Sequence, residues 1–357
     1  MCAGQHEHAS HYEHTSHCEH TSTRLRGDER GSMRIYGFDD YGGPEVQRFH
    51  EVEEPTMQDG CVRIRTVTAG VNPADIKVRS GARQSGFPVE FPMAMGREAC
   101  GDVIEVGPGA SDRIAVGDRV FGSCAPGTGA FAETALLDAS SAVRVPAGLD
   151  AVRAACIPVA VGTANDAIAE LACGDGDTVL VLGAGGGVGV HAVQLARLAG
   201  ARVIAVASAA KRDLLEGLGV EHVASGSGWE ERVRAAVAGG GAAGGAGLGS
   251  EVEPGPGERP VDALLDCVGG DALAGALSLL AGTRVRSVAD PAGASAAGGS
   301  GVVRRRTTEV FGALASLVAD GRLEVVVDDV VPFAEAARAV ERVESGHARG
   351  KTVVTFT

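Results

Sequence analysis

Residues 178–191 read Thr-Val-Leu-Val-Leu-Gly-Ala-Gly-Gly-Gly-Val-Gly-Val-His. The apolar run over 178–182 predicts a strand buried on both faces, as in a parallel sheet. It stops at a glycine cluster, 183–189, and a helix is predicted over 191–198. A strand feeding a glycine turn and then a helix can cradle a phosphate. The glycines let the backbone come close, and the helix start offers free N–H groups and a positive dipole end. The frame is Ala184-x-Gly186-x-x-Gly189, with alanine in the first glycine position. A dinucleotide site is expected there, contacted by Ala184, Gly186, Gly187, Val188 and Gly189. The alternative is a tight strand-to-helix turn that binds nothing.

Downstream, strands are predicted over 202–207, 221–223, 261–267 and 284–288. Helices are predicted between them over 211–218 and 271–280. Strands alternating with helices make an open parallel sheet. The second strand ends at Ala207, where a carboxylate would hold the ribose 2′-hydroxyl of NAD. Instead Ser208, Lys211 and Arg212 follow. A hydroxyl and two cations suit a 2′-phosphate, so NADPH is the expected cofactor. The alternative is that Lys211 and Arg212 solvate the start of an exposed helix.

Upstream, short strands over 62–67, 101–106 and 119–121 are separated by Gly-Pro turns. They predict a barrel-like all-β unit up to about residue 150. An Ala-rich helix over 152–173 is interrupted at Pro158 and Gly162. Residues 238–257 hold nine glycines and two prolines and are expected to form a flexible insertion. The stretch 292–301 is similar and is expected to be a domain junction or mobile loop. Helices over 307–319 and 334–344 and a strand over 352–356 complete the chain. The first 32 residues contain QHEHAS, HYEHTS and HCEHTS, a repeat of six too short to bury a core. A disordered tail is expected, either a low-complexity leader or a metal-scavenging arm; Met33 opens the ordered part.

Composition bounds the function. Of 357 residues, 45% are hydrophobic and only 4% aromatic, so the core must be built from Val, Leu, Ile and Ala. There are 32 Lys+Arg against 46 Asp+Glu, a net charge of −14. Such a field does not gather nucleic acid or an anionic membrane. No long unbroken apolar stretch predicts a transmembrane helix. The eight cysteines are scattered without a C-x-x-C pair, which argues against a disulfide framework and for a cytoplasmic protein.

Several segments together carry a resemblance. They are Tyr41-Gly-Gly-Pro-Glu-Val46, Ala69-Gly-Val-Asn-Pro-Ala-Asp75, Gly117-Asp-Arg-Val-Phe-Gly122, Gly129-Ala-Phe-Ala-Glu133, the 183–189 loop, Asp266-Cys-Val-Gly-Gly270 and Gly346-His-Ala-Arg-Gly-Lys351. With these, residues 33–356 resemble a medium-chain dehydrogenase/reductase of the zinc-independent quinone oxidoreductase group. The resemblance implies an α/β protein in which a GroES-like, partly closed β-barrel catalytic domain carries a Rossmann-type doubly wound parallel-sheet domain. The barrel would comprise residues 33–155 and 291–357, and the Rossmann domain 156–290. Homodimers or homotetramers are common in the group.

Alcohol dehydrogenases of this superfamily hold a catalytic zinc with a Cys and a His. The matching positions here are Asn72 and Arg97, and a guanidinium cannot ligate zinc; no metal is expected. Without a Lewis acid, an acceptor that delocalises incoming charge suits the site. The expected reaction is hydride transfer from NADPH to a quinone or an α,β-unsaturated carbonyl. An enoyl-thioester reductase and a non-catalytic nucleotide-binding protein are the alternatives.

By resemblance, Asn72, Asp75 and Lys77 stand at the nicotinamide end of the cleft as catalytic candidates. Asn72 would hydrogen-bond cofactor or substrate, Asp75 would orient its neighbours, and Lys77 would donate a hydrogen bond or proton. Lys77 replaces the Tyr of several relatives. The plain alternatives are turn chemistry for Asn72-Pro73 and a solvated charge for Lys77. Thr163, Cys267, Val268 and Lys351 are implied cofactor contacts. For Thr163 a helix cap, and for Lys351 a surface lysine, are the alternatives. His191 and His222 are expected to be structural or solvated.

Overall fold

The structure is a computed structural model that describes residues 31–87, 89–110, 112–239 and 261–356. The histidine repeats and residues 240–257 of the glycine-rich stretch lie outside the described residues.

Thr178–Leu182 forms the predicted strand and sits inside a six-stranded parallel sheet. The order is Glu221–Ala224, Arg202–Ala207, Thr178–Leu182, Ala263–Asp266, Val285–Ser287, Ser300–Gly301. The apolar run is explained by two buried faces. Val179 and Val181 join one core layer with Ala192 and Val193, and Leu180 and Leu182 join the opposite layer with Ile204 and Leu264. Each such side chain contributes about 1.5–3 kcal/mol when fully buried. The chain leaves Thr178–Leu182 towards one edge and later returns on its other side at Ala263–Asp266. The loops part at that reversal and open a crevice at the strand ends.

Two predicted features differ. Residues 292–301, read as a loose junction, form a helix, Pro291–Ala296, and the sixth strand, Ser300–Gly301. The parallel sheet therefore extends past residue 290, where the Rossmann domain was expected to end. Asp290 caps the helix by accepting from Gly293 N at 2.8 Å, and Pro291 starts it. Gly299 packs so closely that a Cβ there would meet Val285 O at 2.6 Å. Glycine in this stretch is a packing device. A helix, Trp229–Gly239, also precedes the glycine-rich stretch and takes in its first two residues.

The second sheet has seven strands. Val327–Pro332, Lys351–Thr355, Cys61–Val71, Glu98–Val106, Arg119–Ser123 and Val143–Arg144 follow in order, and Thr134–Asp138 also pairs with Cys61–Val71. The C-terminal strand closes on the N-terminal one antiparallel, with Thr352 opposite Val71. A three-stranded sheet of Gln47–Glu53, Ser32–Phe38 and Met93–Ala94 completes the partly closed barrel.

The predicted break at Pro158 is real. A short helix, Ala151–Ala154, gives way to a π-turn, Ile157–Val161, before helix Gly162–Leu171. Proline removes a helical donor at 158, and the next N–H, on Val159, donates to Glu98 Oε2 at 2.6 Å instead. That bond ties the barrel to the segment leading into the parallel sheet.

Candidate active site

The glycine loop follows its strand into helix Gly189–Leu198. Gly183 has φ +70, a conformation L side chains rarely adopt. A Cβ on Gly189 would lie 2.7 Å from Ala184 Cα, so only glycine fits. Gly186 N donates to Gly183 O and Val190 N to Gly186 O, each at 3.0 Å. Ala184 is fully buried, donates to Val206 O, and packs beneath the loop. His191 is also buried. Its Nδ1 donates to Gly187 O at 2.6 Å and its Nε2 accepts from Val326 N at 3.3 Å. Burial pushes its pKa down to about 4, so it is a neutral spacer bracing the loop.

Two adjoining cavities flank the loop and share Gly183, Gly186, Cys267 and Gly346. The smaller, about 260 Å³, is lined by Gly186–Gly189 on one side and by Asn72, Pro73, Lys77 and Lys351 on the other. The larger, about 1250 Å³, reaches Ser208, Lys211, Ser225 and Val268. The wall a Cβ would invade, the helix start and the long polar cleft fit a dinucleotide. Its pyrophosphate would lie on the glycines and its adenosine end in the larger cavity.

Residues 346–350 strap across this loop. Gly350 N donates to Gly185 O at 3.2 Å, and Lys211 Nζ donates to Ala348 O at 2.7 Å. Burial lowers the Lys211 pKa, and a Cβ on Gly185 would run into its side chain. The strap adds His347 and Arg349 to the larger cavity. Neither was singled out from the sequence; a basic pair between two glycines, Gly346 and Gly350, was the available signal. Arg212 turns instead to Glu216, 2.9 Å away on its own helix, and lines neither cavity. The cavity also carries the carboxylates of Glu230 and Asp271.

Beside the smaller cavity lies a buried polar network. Lys351 Nζ donates to Val71 O at 2.8 Å, Asn72 Oδ1 at 2.5 Å and Glu98 Oε1 at 2.9 Å. Asn72 Nδ2 donates to the same Glu98 oxygen at 2.8 Å. Lys351 and Glu98 expose 2% and 0% of their side chains. Lys351 is thus an interior ion-pair partner that also lines the cavity. Glu98, not singled out from the sequence, is the hub.

Asn72 does begin helix Pro73–Arg79, as turn chemistry predicts, but its amide serves the network. Asp75 accepts from Asn72 N at 2.8 Å and does not line the cavity; its Oδ1 is buried without a partner. Burial raises its pKa to about 7, against the pull of the Asn72 N–H and Lys351. Lys77 lines the cavity from the same helix. Thr163 turns away: it is buried and its Oγ1 bonds to Val159 O, one turn back. Cys267 lines both cavities, and burial drives its thiol pKa upward, away from the thiolate.

Arg97 donates to the backbone carbonyls of Thr128 and Cys124 and lies 4.4 Å over the Phe87 ring. Among the described residues no group of three or more His, Cys, Asp or Glu could hold a metal ion. No helix there is long and apolar enough to cross a membrane.

Two family models match the chain: an alcohol dehydrogenase GroES-like domain over residues 58–147 and a zinc-binding dehydrogenase over 251–354. Polyketide synthase GfsB of Streptomyces halstedii is 44% identical over 172 residues, 47% of this chain and 3% of that protein. A chloroplastic quinone-oxidoreductase homolog of Spinacia oleracea is 32% identical over 189 residues, 51% of this chain and 57% of its own length. The chain thus spans less than two thirds of these curated relatives. The solved structure of a mycobacterial quinone oxidoreductase superposes with TM-score 0.69 at 30% identity, covering 91% of this chain and 100% of that one.

Proposed function

The chain belongs to the medium-chain dehydrogenase/reductases of the quinone oxidoreductase type, and on that premise we propose that it reduces a quinone or an α,β-unsaturated carbonyl with NADPH. The observation that carries this is the small cavity, where the glycine loop faces Asn72, Lys77 and Lys351 across about 260 Å³. When bound, the cofactor supplies a hydride from nicotinamide C4, and the acceptor takes up that hydride and one proton.

The chain's own residues do the rest. Gly186, Gly187 and the start of helix Gly189–Leu198 would hold the pyrophosphate. Ser208, Lys211 and Arg349 supply a hydroxyl and two cations for a 2′-phosphate, with Ala207 where a carboxylate would oppose it. The Lys211 ammonium spends one proton on Ala348 O, leaving two for a ligand. Val71, Pro73, Ala160 and Val188 give the small cavity apolar walls that exclude water. Lys77 reaches the cavity with no hydrogen bond from its ammonium to another described residue, so it is the group positioned to donate to the acceptor oxygen. Asn72 is held in one orientation by Glu98 and Lys351 and presents a rigid wall.

Steady-state oxidation of NADPH and of NADH should be followed across 1,4-benzoquinone, enones and enoyl thioesters, with cofactor binding read by nucleotide fluorescence. NADPH turnover with a quinone or enone is expected. Binding without turnover would support the non-catalytic alternative. The absence of both binding and turnover would refute the proposal.

A further inference from the structure

We propose that Arg79 is a positioning residue of this site: with Glu344 it pins the far end of helix Pro73–Arg79 and so fixes Lys77 against the acceptor. This deepens the reductase proposal above and rests on it.

Helix Pro73–Arg79 has seven residues, about two turns. A helix so short has little stability of its own, so its contacts set its position. Its two faces have different tasks. Pro73 and Lys77, four apart, share the face that lines the small cavity. Asp75 and Arg79, also four apart, are buried on the opposite face.

Each end of the helix is tied to the C-terminal part of the chain through a buried cation. At the start, Lys351 Nζ donates to Asn72 Oδ1 at 2.5 Å. At the end, Arg79 Nη2 donates to Glu344 Oε1 at 2.7 Å and Nη1 to Glu344 Oε2 at 3.2 Å. Both cations expose 2% of their side chains. Arg79 has further partners. Its Nη1 donates to Gln47 Oε1 at 3.0 Å and its Nε to Gly42 O at 3.2 Å. Gly42 N in turn donates to Arg79 O at 3.1 Å. The Tyr41-Gly-Gly-Pro-Glu-Val46 segment lines neither cavity beside the glycine loop, and this clamp gives it a task.

Glu344 is the last residue of helix Ala336–Glu344. Its neighbour Val343 lines the small cavity, and the strap begins two residues on, at Gly346. The clamp therefore sets the spacing between two walls of that cavity, Lys77 on one and Val343 and Gly346 on the other. The guanidinium fork takes both carboxylate oxygens at once, which a lysine ammonium does not. Burying that charge is costly, and what it secures is geometry. A displacement of about 1 Å at a reacting group can cost roughly 10²-fold in rate. The strap has its own ties to the glycine loop, through Gly350 and Lys211, so loosening the clamp should spare the cofactor.

The test uses the full chain, NADPH and the quinone or enone it reduces. Glu344 exposes 33% of its side chain, so Glu344→Ala should fold; Arg79→Lys, which keeps the charge and loses the fork, is the second variant. Each should lower kcat by roughly tenfold or more, while the Kd for NADPH, read by fluorescence, stays within about threefold. In a Lys77→Met background the same substitutions should cost less than about twofold in kcat, because the group they position is gone. A purely structural clamp would multiply the two losses. Unchanged kcat in either variant, losses that multiply, or a loss of NADPH affinity as large as the loss of kcat overturns the proposal. If the unaltered chain oxidises NADPH with no acceptor, the reductase reading fails, and hydrogen exchange then decides the clamp. Faster exchange of amides 76–80 in Glu344→Ala leaves the clamp standing, and unchanged exchange overturns it.

Discussion

Replacing Lys351 with Met removes a charge from a place where water cannot replace it. The side chain is 2% exposed and makes three hydrogen bonds, to Val71 O, Asn72 Oδ1 and Glu98 Oε1. Methionine fills a similar length and makes none of them. Glu98 keeps two donors, Asn72 Nδ2 and Val159 N, which hold the carboxylate without neutralising it. Breaking a buried pair from one side costs about 3–5 kcal/mol. Because Arg304 and Arg306 still act on Glu98 from a distance, the lower end applies, about 3 kcal/mol. At roughly 2–4 °C per kcal/mol, the melting temperature should fall by roughly 6–12 °C. Circular-dichroism melts and urea unfolding of Lys351→Met, Glu98→Gln and the double variant would measure this. The double variant leaves no lone charge, so its cost should undercut the sum of the singles by at least about 2 kcal/mol. A single-variant cost below about 1 kcal/mol, or strict additivity, would refute the claim that this pair locks the C-terminal strand to the barrel.

Asp75 makes stability depend on pH. Its pKa is raised in the fold from 3.8 to about 7, so the native state holds a proton that the unfolded chain has released. Stability from this group is full below about pH 4, falls as pH rises to about 7, and stays low above; the rise from 3.8 to about 7 corresponds to at most about 4 kcal/mol. Asp75→Asn should flatten that slope in urea titrations between pH 4 and 8, and an unchanged slope would count against it. Two glycine variants should part company. Gly189→Ala meets backbone at 2.7 Å and should lose about 1–3 kcal/mol of stability. Gly186→Ala, whose nearest neighbour is 3.4 Å away, should keep its melting temperature yet weaken NADPH binding by fluorescence titration. Lys77→Met should lower kcat by roughly 10²-fold with little change in the KM for NADPH. An unchanged kcat would make Lys77 a bystander.

Much of the parallel sheet was legible because its signals are local. Thr178–Leu182 and Arg202–Ala207 appear at their predicted bounds, since two buried faces demand a continuous apolar run. The break at Pro158 was legible for the same reason: a missing N–H is a property of one residue. Residues 292–301 misled because Gly, Ala and Ser signal looseness by composition, while here they allow close packing against Val285. Thr163 was expected at the cofactor, and its hydroxyl satisfies a carbonyl one turn back. Glu98 was passed over because its partners are remote: Asn72, Val159 and Lys351 lie 26, 61 and 253 residues away.

From its order of residues alone, then, this protein was bound to form a strand, a glycine turn and a helix able to receive a pyrophosphate. It was equally bound to lack a Cys–His metal pair at positions 72 and 97. What faces that turn was decided by tertiary structure. The register that sets Thr352 opposite Val71 carries Lys351 inward to Asn72 and Glu98. The return of the chain through 304 brings Arg304 to the carbonyls of Pro158 and Val159, whose N–H meets Glu98. A glycine turn is specified by the backbone freedom of consecutive residues, whereas a buried ion pair exists only where strands distant in sequence meet.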